Sequence, residues 1–450
     1  MQKIVKVTTC EEKNLHWQQE TLQRKEVEDC MHVINLYPTV TYQTIEGFGG
    51  AFTEASAHNY AQLDEETKEQ LLEAYFGESG LRYNVGRVTI HSCDFGMGNY
   101  TYVEEKDETL ESFSVERDER EVLPLLRGAV EVAGACGRTL TFLASPWSPP
   151  AYMKTNHEMN HGGELREEYQ SLWAEYFVRF IQEYRKKGIA VQSITVQNEP
   201  EAVQTWDSCT YTAEKEAEFV GTYLGPALDA AGLSDVKIFI WDHNKEALVN
   251  RVTTSLKNGK ARKYVHGAAV HWYTGDHFEA LEITKKLYPE LELIFSEGCV
   301  EYSRFADSNE VYKAQMYAHD MIGNLKAGIT TYYDWNLLLD EKGGPNHVGN
   351  FCAAPIMADL SARTFARRLP YYYIGQMSRY VQRNAVRIGS TSYTTKLETV
   401  AFLNPDNSRV LVVLNETEED LPITIRENNV GVEDIVAAHS ICTYIYDTEK

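Results

Sequence analysis

Residues 166–200 read REEYQSLWAEYFVRFIQEYRKKGIAVQSITVQNEP. In the first part Tyr169, Leu172, Trp173, Tyr176, Phe177 and Phe180 recur at i, i+3, i+4 spacing, the signature of one apolar helix face. After KKG the period changes. VQSITVQ (191–197) alternates as a strand does, and Pro200 forbids its continuation as a central ladder member. The strand therefore runs out at Asn198 and Glu199. A carboxylate there is either solvated or else paired, hydrogen-bonded or protonated, because burying it bare is costly. Strand ends are also where barrel and open-sheet enzymes carry their chemistry.

The same alternation repeats on both sides. Strand-like runs occur at EGFGGAF (46–52), RYNVGRVTI (82–90), RTLTFLAS (138–145), VKIFIW (236–241), GAAVHWY (267–273), LELIFSE (291–297) and GITTYYDW (328–335). Helical patterns such as EETKEQLLEAYF and VLPLLRGAVEVAGACG lie between them. With VQSITVQ this makes eight strand–helix units, which predicts an α/β chain whose residues 46–381 form a (β/α)8 TIM barrel. A doubly wound sheet alternates in the same way and stays open on count alone. The ends read differently. IVKVTT and HVINLYPTVTYQTI lie within residues 1–45, and RIGST, TVAFLNPDNSRVLVVLN, PITIRE and HSICTYIYD within 382–450. These are strands joined by turn signals without helices, so a side β-sandwich formed by both termini is expected.

Composition narrows the function. With 43% hydrophobic and 24% charged residues the chain is an ordinary folded protein. A formal charge of −23 argues against nucleic acid and against anionic membrane surfaces, which require Lys and Arg. Eight scattered cysteines, without a CxxC pair, give no metal cadence, and no metal or cofactor is expected. The N-terminal MQKIVKVTTCEEKNLHW lacks an apolar leader core, and no apolar run is long enough to span a bilayer. A cytoplasmic, reduced protein is the expectation. The glycines of EGFGGAF miss the third position of GxGxxG, and neither GxSxG nor GxxxxGK[ST] occurs.

Reading the C-terminal end of each strand brings together His91, Ser92, Cys93 and Asp94; Ser145, Pro146 and Trp147; Asn198 and Glu199; Asp242 and His243; His271, Trp272 and Tyr273; Glu297; and Asp334, Trp335 and Asn336. Asp242 fits either a pocket wall or a helix N-cap. Glu199 and Glu297 carry most weight. Two carboxylates flanking one glycosidic bond suffice for hydrolysis, one as proton donor and the other as nucleophile or base. A separation of roughly 5–5.5 Å gives retention and a larger one inversion. The donor needs a raised pKa, and the nucleophile needs hydrogen bonds that keep it ionised.

In order along the chain, RVTIHSCDF, LASPWSPPAYMKTN, TVQNEP, KYVHGAAVHWY, FSEG, YYDWNLLLDEKGGPN and VLVVLN resemble the glucosylceramidase (acid β-glucosidase) branch of glycoside hydrolase family 30. The resemblance implies a retaining exo-β-glycosidase acting on a small-molecule β-glycoside, with a glycolipid among the candidates. By motif, Glu199 matches the acid/base and Glu297 the nucleophile. Asp94, Trp147, Asn198 and Asn346 match ligands of sugar hydroxyls, and Trp335 a pocket aromatic. Arg87, His271 and Tyr273 match residues that surround the nucleophile. Related β-xylosidase, β-fucosidase, 1,6-β-glucanase and glucuronoxylanase activities stay open, as does a catalytically silent carbohydrate-binding barrel. The sequence departs from the animal lysosomal members at the leader, in the EAVQTWDSCTY loop and at His347, where they carry Trp. This puts the lipid part of the substrate in question and points to a bacterial intracellular enzyme. Neither the oligomeric state nor the pH optimum is legible.

Overall fold

Eight parallel strands close into a barrel in chain order: β1 (Gly47–Phe52), β2 (Val85–Ile90), β3 (Thr141–Pro146), β4 (Val191–Thr195), β5 (Lys237–Asn244), β6 (Val265–His271), β7 (Glu292–Glu297) and β8 (Ile329–Asn336). The ring is shut by β8 pairing with β1, Tyr332 opposite Phe48. This computed structural model describes residues 3–27, 31–428 and 430–446, so Cys30 and parts of both predicted end segments lie outside the described residues. Every strand-like run of the barrel region becomes a barrel strand, and the doubly wound alternative is excluded by closure.

Side chains fill the lumen: Val85, Leu143, Phe239, Ala269, Ile294 and Tyr333 form their own buried cluster, drawn from six strands. That makes the barrel a packed core rather than a pore. The glycines of β1 have a packing reason, since a Cβ on Gly49 would lie 1.9 Å from the Val85 carbonyl oxygen. Outside, helix α1 (Gln170–Lys186) turns Trp173, Tyr176, Phe177 and Phe180 fully inward, while Leu172 is half-buried. Each such buried side chain stabilises the fold by about 1.5–3 kcal/mol relative to exposure.

Ten strands of the two end segments form one continuous hydrogen-bonded sheet that doubles over on itself. Lys3–Cys10 pairs with Ser440–Tyr446, Ile4 lying opposite Tyr446. Val33–Thr44 pairs with both Val386–Ser392 and Leu421–Glu427. The fold-over is seen in Lys6, whose Nζ lies 2.7 Å from Asp434 although their strands are far apart in the sheet order. Leu411, Val413 and Tyr444 share a core with Ile423, Ile425 and Val432, giving the β-sandwich. Three strands of this sheet were not anticipated, Leu15–Gln23, Lys25–Glu26 and Val430–Val436. The first, LHWQQETLQ, is an edge strand with mostly exposed side chains, so it lacks an apolar alternation. Among the described residues no helix is long and apolar enough to cross a membrane, and the seven described cysteines are free.

Candidate active site

At the C-terminal end of the barrel a cavity of about 200 Å³ is lined by Asp94, Trp147, Asn198, Glu199, Tyr273, Glu297 and Trp335 among others. Seven of the ten residues singled out from the sequence therefore meet in one place. The remaining three, Arg87, His271 and Asn346, lie one layer behind.

Arg87, on β2, organises that layer. It is fully buried and uses four of its five N–H donors: Nη1 donates to Glu297 Oε2 at 2.6 Å, Nη2 to Asn198 Oδ1 and Asp242 Oδ2 at 2.9 Å each, and Nε to Ser145 Oγ at 3.2 Å. Its guanidinium carbon also sits 4.8 Å from the Trp147 ring centroid, and Trp147 stacks on Trp335 at 5.3 Å. A delocalised cation against aromatic faces is favourable when desolvated.

Asp242 is neither a pocket wall nor an N-cap. Its buried carboxylate accepts from Arg87, from Thr195 Oγ1 and Ser296 Oγ at 2.6 Å each, and lies 3.0 Å from His271 Nε2. Burial alone would raise its pKa, but Arg87 and His271 hold it well below the usual carboxylate range. It is the fixed anion of the site. Trp241, Asp242 and Glu199 all have left-handed backbone, with φ of 76°, 51° and 49°. The Glu199 amide donates to the Asp242 carbonyl at 3.0 Å, tying the two turns together. Left-handed non-glycine residues cost of order 1–3 kcal/mol each and persist only where the surroundings enforce them.

Around Glu297, the Tyr273 hydroxyl donates to Oε1 at 2.8 Å while Arg87 takes Oε2. Glu199 has the histidines: His271 Nδ1 at 3.3 Å and His243 Nδ1 at 3.6 Å from Oε1. Burial opposes charge on His271, but the Glu297 charge and the bonds to Asp242 and Glu199 outweigh it and push its pKa up to about 9. His271 is thus an imidazolium at neutral pH, with its two nitrogens donating to Asp242 and Glu199.

The two glutamates are electrostatically coupled through this cation. Burial raises Glu297, against the pull of His271 and Arg87, and the Glu199 charge raises it further. For Glu199 burial acts in the same upward sense, but His271 and His243 outweigh it and bring it below its ordinary value. The contacts on Glu297 pull it back toward the ionised form. Two donors, one a guanidinium at 2.6 Å, bind separate oxygens and stabilise the carboxylate. Moving one proton from His271 to Glu199 across 3.3 Å leaves the net charge facing Glu297 unchanged. That transfer conserves charge, but with His271 raised and Glu199 lowered the resting pair keeps its proton on His271.

Asp94 is pushed up to about 8 by burial and the Glu297 charge, so at neutral pH it is a neutral acid able to donate one hydrogen bond. Asn346 holds it: Nδ2 donates to Asp94 Oδ2 at 3.0 Å, while Oδ1 accepts from the amides of Val348 and Asn350. Asn350, not Asn346, lines the cavity. His347 is turned away, 3.7 Å from Asp207, whose other oxygen accepts from Ser92 at 2.6 Å. Other lining residues went unnoticed in the sequence. Gln204 and Trp206 sit in the loop after β4, and Asn244 fixes the Tyr273 amide at 2.8 Å from the end of β5. That strand runs three residues past the apolar run that predicts it. Glu199, His243 and His271 bring three potential metal-ligand atoms within 4.8 Å of one another. The positive charge on His271 disfavours a cation there.

A barrel rim with paired, differently held carboxylates in a small cavity defines a glycosidase-type site. The sequence pattern of the glycosyl hydrolase family 30 TIM-barrel domain matches residues 45–381, and that of the family's β-sandwich domain residues 384–444. The chain belongs to glycosyl hydrolase family 30 and is a glycoside hydrolase. It is 36% identical to the lysosomal acid glucosylceramidase of Mus musculus over 92% of this chain and 83% of that protein. With the endo-1,6-β-D-glucanase of Neurospora crassa it shares 28% identity over 91% of this chain and 86% of that one. The crystal structure of SrfJ from Salmonella typhimurium superposes with a TM-score of 0.95 at 38% identity, covering 99% of this chain and 100% of the other.

Proposed function

We propose that the enzyme is a retaining exo-β-glucosidase of the glucosylceramidase kind. The observation that carries this reading is the unequal treatment of two carboxylates in one cavity. Glu297 is gripped by Arg87 and Tyr273, whereas Glu199 faces the histidines His271 and His243. Glu297 attacks the anomeric carbon while Glu199 delivers its proton to the departing oxygen, leaving a glycosyl ester on Glu297. Glu199, now ionised, takes a proton from water as that water opens the ester, and both glutamates return to their starting states. Asn198 and the neutral Asp94 are placed to hydrogen-bond sugar hydroxyls, and the Trp147–Trp335 stack offers the ring an apolar wall.

A second cavity of about 340 Å³ shares Tyr273 and Glu301 with the first and gives an aglycone a mixed surface, with Trp272, Phe305 and Met316 beside Arg304, His319 and Glu416. The absence of disulfides among the described cysteines agrees with a reducing, cytoplasmic setting.

The test is hydrolysis of aryl β-glucoside, xyloside, fucoside and galactoside, with glucosylceramide in detergent and a β-1,6-glucan alongside, and NMR of the first-formed sugar. Glucoside preference with β-glucose released first is expected. Release of α-glucose would overturn the retaining mechanism, and preference for the glucan would move the enzyme to the endo-acting reading suggested by its 28% identical fungal relative.

A further inference from the structure

The opposite, N-terminal end of the barrel holds a separate cavity of about 350 Å³. It is lined by Arg82, Arg138, Arg379 and Arg383, all half-buried, and by one carboxylate, Glu78. In a chain of formal charge −23 such a concentration of arginine is out of keeping with its surroundings.

What these guanidiniums already touch leaves them under-neutralised. Arg383 donates to the carbonyls of Glu46, Asn84 and Thr139, each at 3.0 Å, and so staples the entrances of β1, β2 and β3. Arg379 donates to the carbonyls of Ser79 and Gly80, and Arg138 to that of Phe76. Arg82 donates to the carbonyls of Glu78 and Arg379 at 2.9 Å each. Carbonyls satisfy N–H groups but carry no net charge. Glu78, shared between Arg82 at 2.7 Å and Arg138 at 2.8 Å, is the one carboxylate in the cavity wall among the described residues. Four cations thus face one anion. Burial and, after the opposing pull of Glu78, the charges of Arg379 and Arg138 lower Arg82 from its ordinary value, the mark of cations crowding one another.

Donors are also left over. Arg138 Nε and Arg379 Nε are buried without a hydrogen-bond partner, and so is the hydroxyl of Ser378, a residue 5% exposed in the cavity wall. Unpaired buried donors are costly and are normally answered by something. Guanidinium forks with hydroxyl support are the arrangement that binds phosphoryl oxygens.

We propose that this cavity is an anion site for a phosphoryl group, free or carried on a small ester such as a hexose 6-phosphate. It is separate from the glycosidase site, because it lies at the other end of the strands and shares no lining residue with it. The surrounding acidity excludes a nucleic-acid backbone as the source.

Calorimetric titration of the full-length enzyme with inorganic phosphate, and separately with glucose 6-phosphate, decides the matter against sodium chloride at matched ionic strength. One saturable site per chain is expected, weakened at least about tenfold in Arg138→Gln and measurably in Ser378→Ala. Aryl glucoside hydrolysis by Arg138→Gln should stay at the wild-type rate, which separates this site from the catalytic one. A tighter fit for the ester identifies a phosphorylated sugar as the ligand, and equal affinity identifies the phosphoryl group alone. Absence of saturable heat in the wild-type protein, or an unchanged affinity in Arg138→Gln, overturns the proposal.

Discussion

Arginine serves the two ends of this barrel in different ways. At the C-terminal end Arg87 is 0% exposed and answered by side chains, two of them carboxylates. At the N-terminal end Arg383 is half-buried and answered by backbone carbonyls and the Thr141 hydroxyl. The first arrangement balances charge with charge among fully buried groups, so each group's ionisation depends on the others. The second uses a cation as a multi-headed donor that ties strand starts together and leaves its charge outstanding. Charge reorganisation can therefore be run from one end while the other supplies rigidity.

The largest effect expected on this contrast is from Glu297→Gln, which removes the charge that Arg87 answers. Turnover of an aryl β-glucoside should fall by at least about 10⁴-fold with the unfolding transition retained. Survival of activity would remove Glu297 from the nucleophile role. Next is Glu199→Ala, expected to cost about 10²–10⁴-fold on substrates with poor leaving groups and far less on activated aryl glucosides. Equal losses on both would end its role as the acid.

Stability then separates the two ends directly. Arg87→Met strands Asp242 without its guanidinium and should cost about 3–5 kcal/mol in denaturant unfolding. Arg383→Met frees carbonyls near the surface and should cost about 1–3 kcal/mol. Equal costs would break the comparison. The smallest effect concerns pH. His271 has a folded pKa raised to about 9, so its imidazolium contributes stability that is fully present below about 6.5 and lost as pH rises through about 9. The stability difference between wild type and His271→Gln should accordingly shrink from pH 6 to pH 9.5. A difference that widens would show that His271 is neutral in the fold.

Much of this was legible in the sequence because it is local. Period changes such as that between FVRFIQEYRKKG and VQSITVQ mark each barrel strand to within three residues of its place, and the carboxylates at strand ends follow from where strands stop. The polar edge strand Leu15–Gln23 was missed for a physical reason, since water on both faces leaves no apolar pattern to read. The Asp242 hub was missed for another. Its partners Arg87, Thr195, His271 and Ser296 come from five different strands once Asp242 itself is counted, and nothing in one strand announces what the next will bring. Asn346 and Asn350 show the limit within a loop. Both are amides four residues apart and both donate to Asp94 Oδ2, and only the folded course of the chain decides that Asn350 also faces the cavity.

The pairing of Lys3–Cys10 with Ser440–Tyr446 has a consequence in time. During synthesis the first strand leaves the ribosome long before its partner on that side exists. At roughly 5–20 residues per second the wait is on the order of half a minute or more. The whole barrel can close in that interval, while Lys3–Cys10 has only Leu15–Gln23 to pair with. The sandwich then assembles after the barrel, and a ribosome stalled before Ser440–Tyr446 would leave a finished barrel with one exposed, adhesive strand edge.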